Sequence, residues 1–201
     1  MTKPRTQRKP ISVLDLGFED ATRLKGLASR YPRKQFMGIE WEKRKGLVTR
    51  RHNLKLVYGD VLSKLRRLPA NSVKIVTADF LFSGFKMRGF HVDEETRIGR
   101  VFAGRFRKGR IKVAKQVYRV LVPNGRFFVT EWKINSGVIK ELLEEAGFNV
   151  KERPVPESEI GKDGKTLFLK GLPEFFEKHP EAIETDTPMR LIATKPREKA
   201  Y

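Results

Sequence analysis

The chain has 201 residues, 43 Lys+Arg against 24 Asp+Glu, a formal net charge of +19, and no cysteine. This is the length of one ordinary domain with a sizeable core, and the composition excludes a disulfide framework, a thiol nucleophile and thiolate-bound zinc. No stretch approaches the ~20 apolar residues of a membrane span, so no membrane partner is expected.

The basic start "MTKPRTQRKP" leads into no apolar segment of signal-peptide type, so the expected location is cytoplasmic. His52, His91 and His179 are far apart, without ligand spacing, and no metal is expected. High Lys, Arg and Glu with no Cys also suits a thermophile. The charge is lopsided. Residues 1–130 hold 31 Lys+Arg against 10 Asp+Glu, while residues 131–201 hold 12 against 14. A one-sided positive field is an electrostatic footprint for a polyanion.

In chain order, a basic tail (1–10) precedes one domain (11–201) of alternating strands and helices. "ISVLDLG" (11–17) reads as a strand entering a turn. "DATRLKGLASRY" (20–31) reads as a helix, with Asp20 as its N-cap and Leu24, Leu27 and Ala28 on one face. "QFMGIE" (35–40) is a second strand, "EKRKGLVTRRH" (42–52) a basic helix, "LKLVYGD" (54–60) a third strand and "VLSKLRRL" (61–68) a short helix. "SVKIVTADF" (72–80) is a fourth strand. A Gly- and Arg-rich insertion follows at 83–110, read as a surface loop, and then the helix "IKVAKQVYRVL" (111–121), stopped by "VPNG". "RFFVTEW" (126–132) is a fifth strand and "SGVIKELLEEAGF" (136–148) a helix closed by Gly147. "FNVKERPV" and "RLIATKP" are the last two strands, separated by a variable insertion at 156–188 with a short helix at "LPEFFEKH". This alternation predicts an α/β fold: a Rossmann-like, mostly parallel seven-stranded sheet with an antiparallel edge strand and helices on both faces.

In open α/β sheets ligands bind beyond the carboxyl ends of the strands. Those ends carry acids: Asp15, Glu40, Asp60, Asp79 and Glu131. An acid at one strand end is ordinary solvated capping; five along one edge are harder to assign to capping. Gly17 opens the turn after the first strand. Glu40 follows Asp15 by 25 residues, at the end of the next strand, where a carboxylate can accept two hydrogen bonds from a ribose diol. Asp60 can accept from an adenine amine while the Val61 N–H meets the ring. Trp41 stands beside Glu40 and joins the same cofactor set. Glu19 and Ala21 stand where further glycines would let the backbone approach a ligand closely.

The order "VLDLG", "FMGIE", "VYGDV", "IVTADF", "LVPNGRFFV", "EEAGFNV" resembles the class I S-adenosylmethionine-dependent methyltransferases over about residues 11–153 and the last strand. Within them the chain is most similar to the tRNA guanine-N7 methyltransferase family, through "GF" (17–18), "GIE" (38–40), the basic "RFRKGR" (105–110) and "TEW" (130–132). "ADFLF" (78–82) departs from that family's "PDPW". The resemblance implies S-adenosylmethionine as cofactor. Asp15, Gly17 and Glu19 would lie beside its methionine part, Glu40 and Trp41 at its ribose, and Asp60 and Val61 at its adenine. Asp79 would sit where the target base is positioned, and a carboxylate, Asp79 or Glu131, would be the catalytic group that binds and orients the base edge.

Between Arg97 and Arg119 there are nine Lys+Arg and no acid. "GRVFAGRFRKGR" interleaves aromatics with cations, which suits phosphates and unstacked bases. Arg100, Arg105, Phe106, Arg107, Lys108 and Arg110 are the candidate nucleic-acid residues; core anchoring is the alternative for the phenylalanines. The expected activity is methylation of a tRNA or rRNA base. The alternatives are a methyltransferase-fold protein that binds RNA without catalysis, and a methyltransferase acting on a protein or small molecule. An oligomer, or a partner subunit covering the site, is compatible with all three.

Overall fold

The computed structural model describes residues 10–17, 21–41, 49, 51–79, 97–155 and 188–197, with backbone alone at 97–106, 132, 134 and 188. The basic tail up to residue 9, Glu19, Asp20, most of the helix expected at 42–52, and the insertions at 83–96 and 156–187 lie outside these residues.

The strands are β1 (Ile11–Leu16), β2 (Gln35–Glu40), β3 (Leu54–Tyr58), β4 (Val73–Asp79), β5 (Leu121–Trp132), β6 (Asn149–Pro154) and β7 (Pro188–Thr194). They form one sheet in the order β3-β2-β1-β4-β5-β7-β6. Strands β1 to β5 pair in parallel, and β7 runs antiparallel between β5 and the outer strand β6. The expected fold class is the observed one. The chain winds outward from β1 to β3, then returns to β4 on the other side of β1. The crevice between β1 and β4 is therefore the switch point, where the carboxyl ends of α/β sheets receive ligands.

Helices α2 (Val61–Arg66), α3 (Arg97–Val120) and α4 (Lys133–Glu145) share one face with β-strand residues such as Leu14, Val76, Phe127, Val129 and Leu191. Helix α1 (Thr22–Arg30) packs Leu24 and Ala28 on the other face against Phe36 and Leu54. Burying an apolar side chain of this size contributes about 1.5–3 kcal/mol.

Three local expectations are corrected. The segment 97–110 is not a loop: it is the first half of the 24-residue helix α3. Its Ala, Arg and Lys are good helix formers, and the interspersed glycines weaken the helix without breaking it. Helix α1 begins after Ala21, which takes the N-cap position in a left-handed conformation (φ 59°) with no side-chain cap; Asp20, the expected cap, lies outside the described residues. The "VPNG" turn is absorbed into β5 as an irregularity. Val73 pairs with Leu121 but Ile75 with Arg126, and a side chain at Gly125 would meet the Val122 carbonyl oxygen at 2.7 Å.

Candidate active site

Strand alternation sends every second side chain to one face of the sheet. Asp15 on β1 and Thr77 and Asp79 on β4 project to the face that carries α1. Asp15 is buried, and its Oδ1 accepts from Thr77 Oγ1 at 2.7 Å and from Arg23 Nη2 at 3.3 Å. Asp79 Oδ2 accepts from Arg23 Nη1 at 2.9 Å, and its Oδ1 accepts from Thr130 Oγ1 at 2.6 Å. One guanidinium on the first turns of α1 thus bridges the carboxylates at the ends of the two strands that flank the switch point. Burial raises the Asp15 pKa above its ordinary 3.8. Arg23 and the Thr77 hydrogen bond oppose that rise, and Asp79 and Glu40 add to it.

The turn after β1 needs its glycine. Gly17 sits at φ 76°, and its N–H donates to the Ile39 carbonyl at 2.8 Å, which closes the turn over β2. Ala21 is also left-handed and buried, a conformation that costs an L-residue roughly 1–2 kcal/mol and that glycine takes freely. At the end of β2, Glu40 Oε1 accepts from the Trp41 backbone N–H at 2.7 Å, and the Trp41 side chain is 64% exposed. At the end of β3, Gly59 turns at φ 120° into Asp60, whose Oδ1 caps α2 by accepting from the Ser63 N–H at 2.7 Å. Val61 is the first residue of α2 and is buried.

The structure therefore brings Asp15, Gly17 and Asp79 together at the switch point and lines Glu40, Trp41, Asp60 and Val61 along the neighbouring strand ends. It does not bring Glu131 to Asp79. Alternation puts Glu131 on the helical face with Phe127 and Val129, where it is fully buried; Thr130 makes the contact with Asp79 instead. Two residues were missed in the sequence. Arg23 reads as one more cation on an amphipathic helix, and Thr77 as an ordinary strand residue; only the pairing of β1 with β4 sets them against the acids.

The basic segment presents a helical face. Lys108, Lys112 and Lys115 are exposed at i, i+4 and i+7 on α3. Arg107 pairs with Glu145 of α4 at 3.2 Å, and Arg110 is half-buried. Arg100, Arg105 and Phe106 lie on the same helix by backbone. Among the described residues no His/Cys/Asp/Glu cluster is arranged to hold a metal ion, and no helix is long and apolar enough to cross a membrane.

The fold matches that of solved structures. Phosphoethanolamine N-methyltransferase 2 of Haemonchus contortus, solved with S-adenosyl-L-methionine, superposes with a TM-score of 0.61 at 14% identity, covering 95% of this chain and 50% of that one. A SAM-dependent methyltransferase of Archaeoglobus fulgidus superposes at 0.53 and 16% identity, covering 92% and 86%. The fold is that of the S-adenosylmethionine-dependent methyltransferases. The chain spans about half the length of the Haemonchus contortus proteins. The [4+2]-cyclase SpnF shares the architecture too, with a TM-score of 0.58 at 16% identity, covering 96% of this chain and 77% of that one, so the fold alone does not fix the reaction. No protein-family model matches the chain, and no curated protein matches it in sequence.

Proposed function

We propose that the protein is an S-adenosylmethionine-dependent methyltransferase acting on a base of tRNA or rRNA. The observation that carries the cofactor is the row of strand-end groups at the switch point: the Gly17 turn, Glu40 after β2, and Asp60 with Val61 after β3. Their chemistry fits an adenosine. Glu40 offers carboxylate oxygens to a ribose diol, Asp60 has a carboxylate oxygen beyond the one that caps α2, and the left-handed Gly17 leaves the turn without a side chain at the closest approach. Bound there, the cofactor would supply an electrophilic sulfonium methyl.

The chain's own contribution is placement and charge. Asp79 is held by Thr130 and Arg23, faces the crevice, and presents a carboxylate that can accept from the edge of a base. Holding the accepting nitrogen in line supplies most of what methyl transfer asks of a protein. Glu131 is buried on the other face, away from the crevice. Arg23 keeps positive charge beside Asp15 and Asp79, where it can meet the cofactor's own carboxylate.

RNA is favoured as substrate by the concentration of cations in residues 1–130 and by the exposed lysine stripe of α3. The likeness of "GF", "GIE" and "TEW" to the tRNA guanine-N7 family supports tRNA within that class. Incubation with methyl-labelled cofactor and total tRNA or rRNA tests the reading: label enters RNA. No label in RNA, with label entering an acidic protein or a small molecule, would replace the substrate class.

A second reading has a specific observation behind it. Arg23 already bridges the two acids of the crevice, and Ala21 holds a left-handed position that glycine would take without strain. Both features suit a protein that has kept the fold and the cationic surface for RNA binding without catalysis. RNA binding that is unchanged by cofactor, with no heat of cofactor binding, would favour it.

A further inference from the structure

A pocket of about 490 Å³ opens at the other end of the sheet, beside the amino ends of β1, β2 and β4. Its floor is Val13 and Ile75, on the same face of the sheet as Asp15 and Asp79. Its rim is Tyr31, Arg33, Lys34 and Lys74, all exposed, and none of the described residues that line it is acidic. Tyr31 is 38% exposed, with Lys34 Nζ 4.6 Å from its ring centre. The pairing of Ile75 with Arg126 continues this surface onto β5, where Arg126 is also exposed.

We propose that this pocket binds single-stranded RNA, with phosphate on Lys34, Lys74 and Arg33 and a base against Tyr31. Three cations with no acid among the described lining residues create a field that selects an anion, and the exposed Tyr31 ring, over which Lys34 and Arg30 can be displaced toward phosphate, offers a base a face to stack on. Complementarity argues against the chain's own start as occupant, because "MTKPRTQRK" carries four cations and no acid. The position suits a substrate track. Ile75 and Asp79 lie four residues apart on one strand and one face, about 13 Å at ~3.3 Å per residue, so a strand anchored here can reach the methyl-transfer crevice. The proposal rests on the RNA reading for its ligand but on different residues, and it is read by binding rather than by methyl transfer.

The test is fluorescence anisotropy of the full chain with a labelled oligouridylate of about 15 nucleotides across about 50–200 mM salt. Lys34→Gln/Lys74→Gln lowers affinity about tenfold at the low-salt end and reduces the salt slope by about 1.4, at ~0.7 per lost phosphate contact. Tyr31→Ala weakens binding about fivefold. The control pair Arg66→Gln/Arg67→Gln, exposed on and just after α2, has a smaller effect. Lys34→Arg/Lys74→Arg retains affinity, which separates lost charge from lost folding. Equal affinity and slope in Lys34→Gln/Lys74→Gln and Arg66→Gln/Arg67→Gln would overturn the proposal while leaving methyl transfer standing. Absence of any RNA binding would overturn both, and tighter binding to anionic vesicles than to RNA would replace the ligand.

Discussion

The guanidinium of Arg23 donates to Asp79 Oδ2 at 2.9 Å, joining α1 to the end of β4 across 56 residues of sequence. The same group reaches Asp15, so removing it unties the crevice and strips a buried carboxylate of its cation. Arg23→Ala is expected to cost about 1 kcal/mol at neutral pH, a modest figure because the arginine is nearly half exposed and solvent screens the pair. Urea denaturation checks it; a variant as stable as the parent would mean the bridge contributes nothing in solution.

Asp15 sets a pH dependence of definite sign. Its folded pKa is raised by burial, so the folded state takes up a proton at higher pH than the unfolded chain does. The resulting stability is complete below the unfolded value of 3.8 and is lost as pH rises through the folded value. The parent should therefore gain stability relative to Asp15→Asn as pH falls from 7 toward about 4. Denaturation at several pH values reads the difference; a flat difference, or one of opposite slope, contradicts the assignment.

Much of this was legible in the sequence. The alternation of apolar strands and amphipathic helices gives the element order and the mostly parallel sheet, because strands covered on both faces must be continuously apolar. The strand-end acids stand out for the converse reason. What was not legible depends on pairing across the sheet. Nothing near Arg23 in sequence points to Asp79, and nothing in "TEW" says that Thr130 faces the crevice while Glu131 faces the core. Helix α3 was misread because glycines and arginines at 97–110 look like a loop, whereas Val113, Ala114, Val117 and Val120 anchor the same helix to the core. Asn53 was missed for lack of any local pattern.

Asn53 is buried, and its Nδ2 donates to the carbonyls of Ala28, Tyr31 and Lys34 at 3.0–3.3 Å, fastening the end of α1 to the start of β2. Asn53→Ala leaves these acceptors without that donor and should cost about 2–3 kcal/mol. Calorimetry measures it, and a loss within ~0.5 kcal/mol, the range of an ordinary surface substitution, would contradict the role.

Asp60 has two separable duties. Capping α2 asks only for a short side-chain acceptor, which serine also supplies, whereas meeting an adenine amine asks for the carboxylate's reach and charge. Asp60→Ala should lose about 1 kcal/mol of stability as well as cofactor affinity, while Asp60→Ser should keep most of the stability and lose the affinity. Paired melting and calorimetric titrations distinguish them; a serine variant that binds cofactor as the parent does would remove Asp60 from the adenine site.

The central claim is that the strand ends at the β1–β4 crevice hold S-adenosylmethionine. Its most direct test is the thermal unfolding of the full chain with S-adenosylmethionine and with S-adenosylhomocysteine, in parallel with Glu40→Ala. The account predicts that the parent is stabilised by about 2.7 kcal/mol at a ligand concentration ~100 times its Kd, and that Glu40→Ala loses most of that gain. No stabilisation of the parent by either ligand, or equal stabilisation of parent and Glu40→Ala, would contradict it.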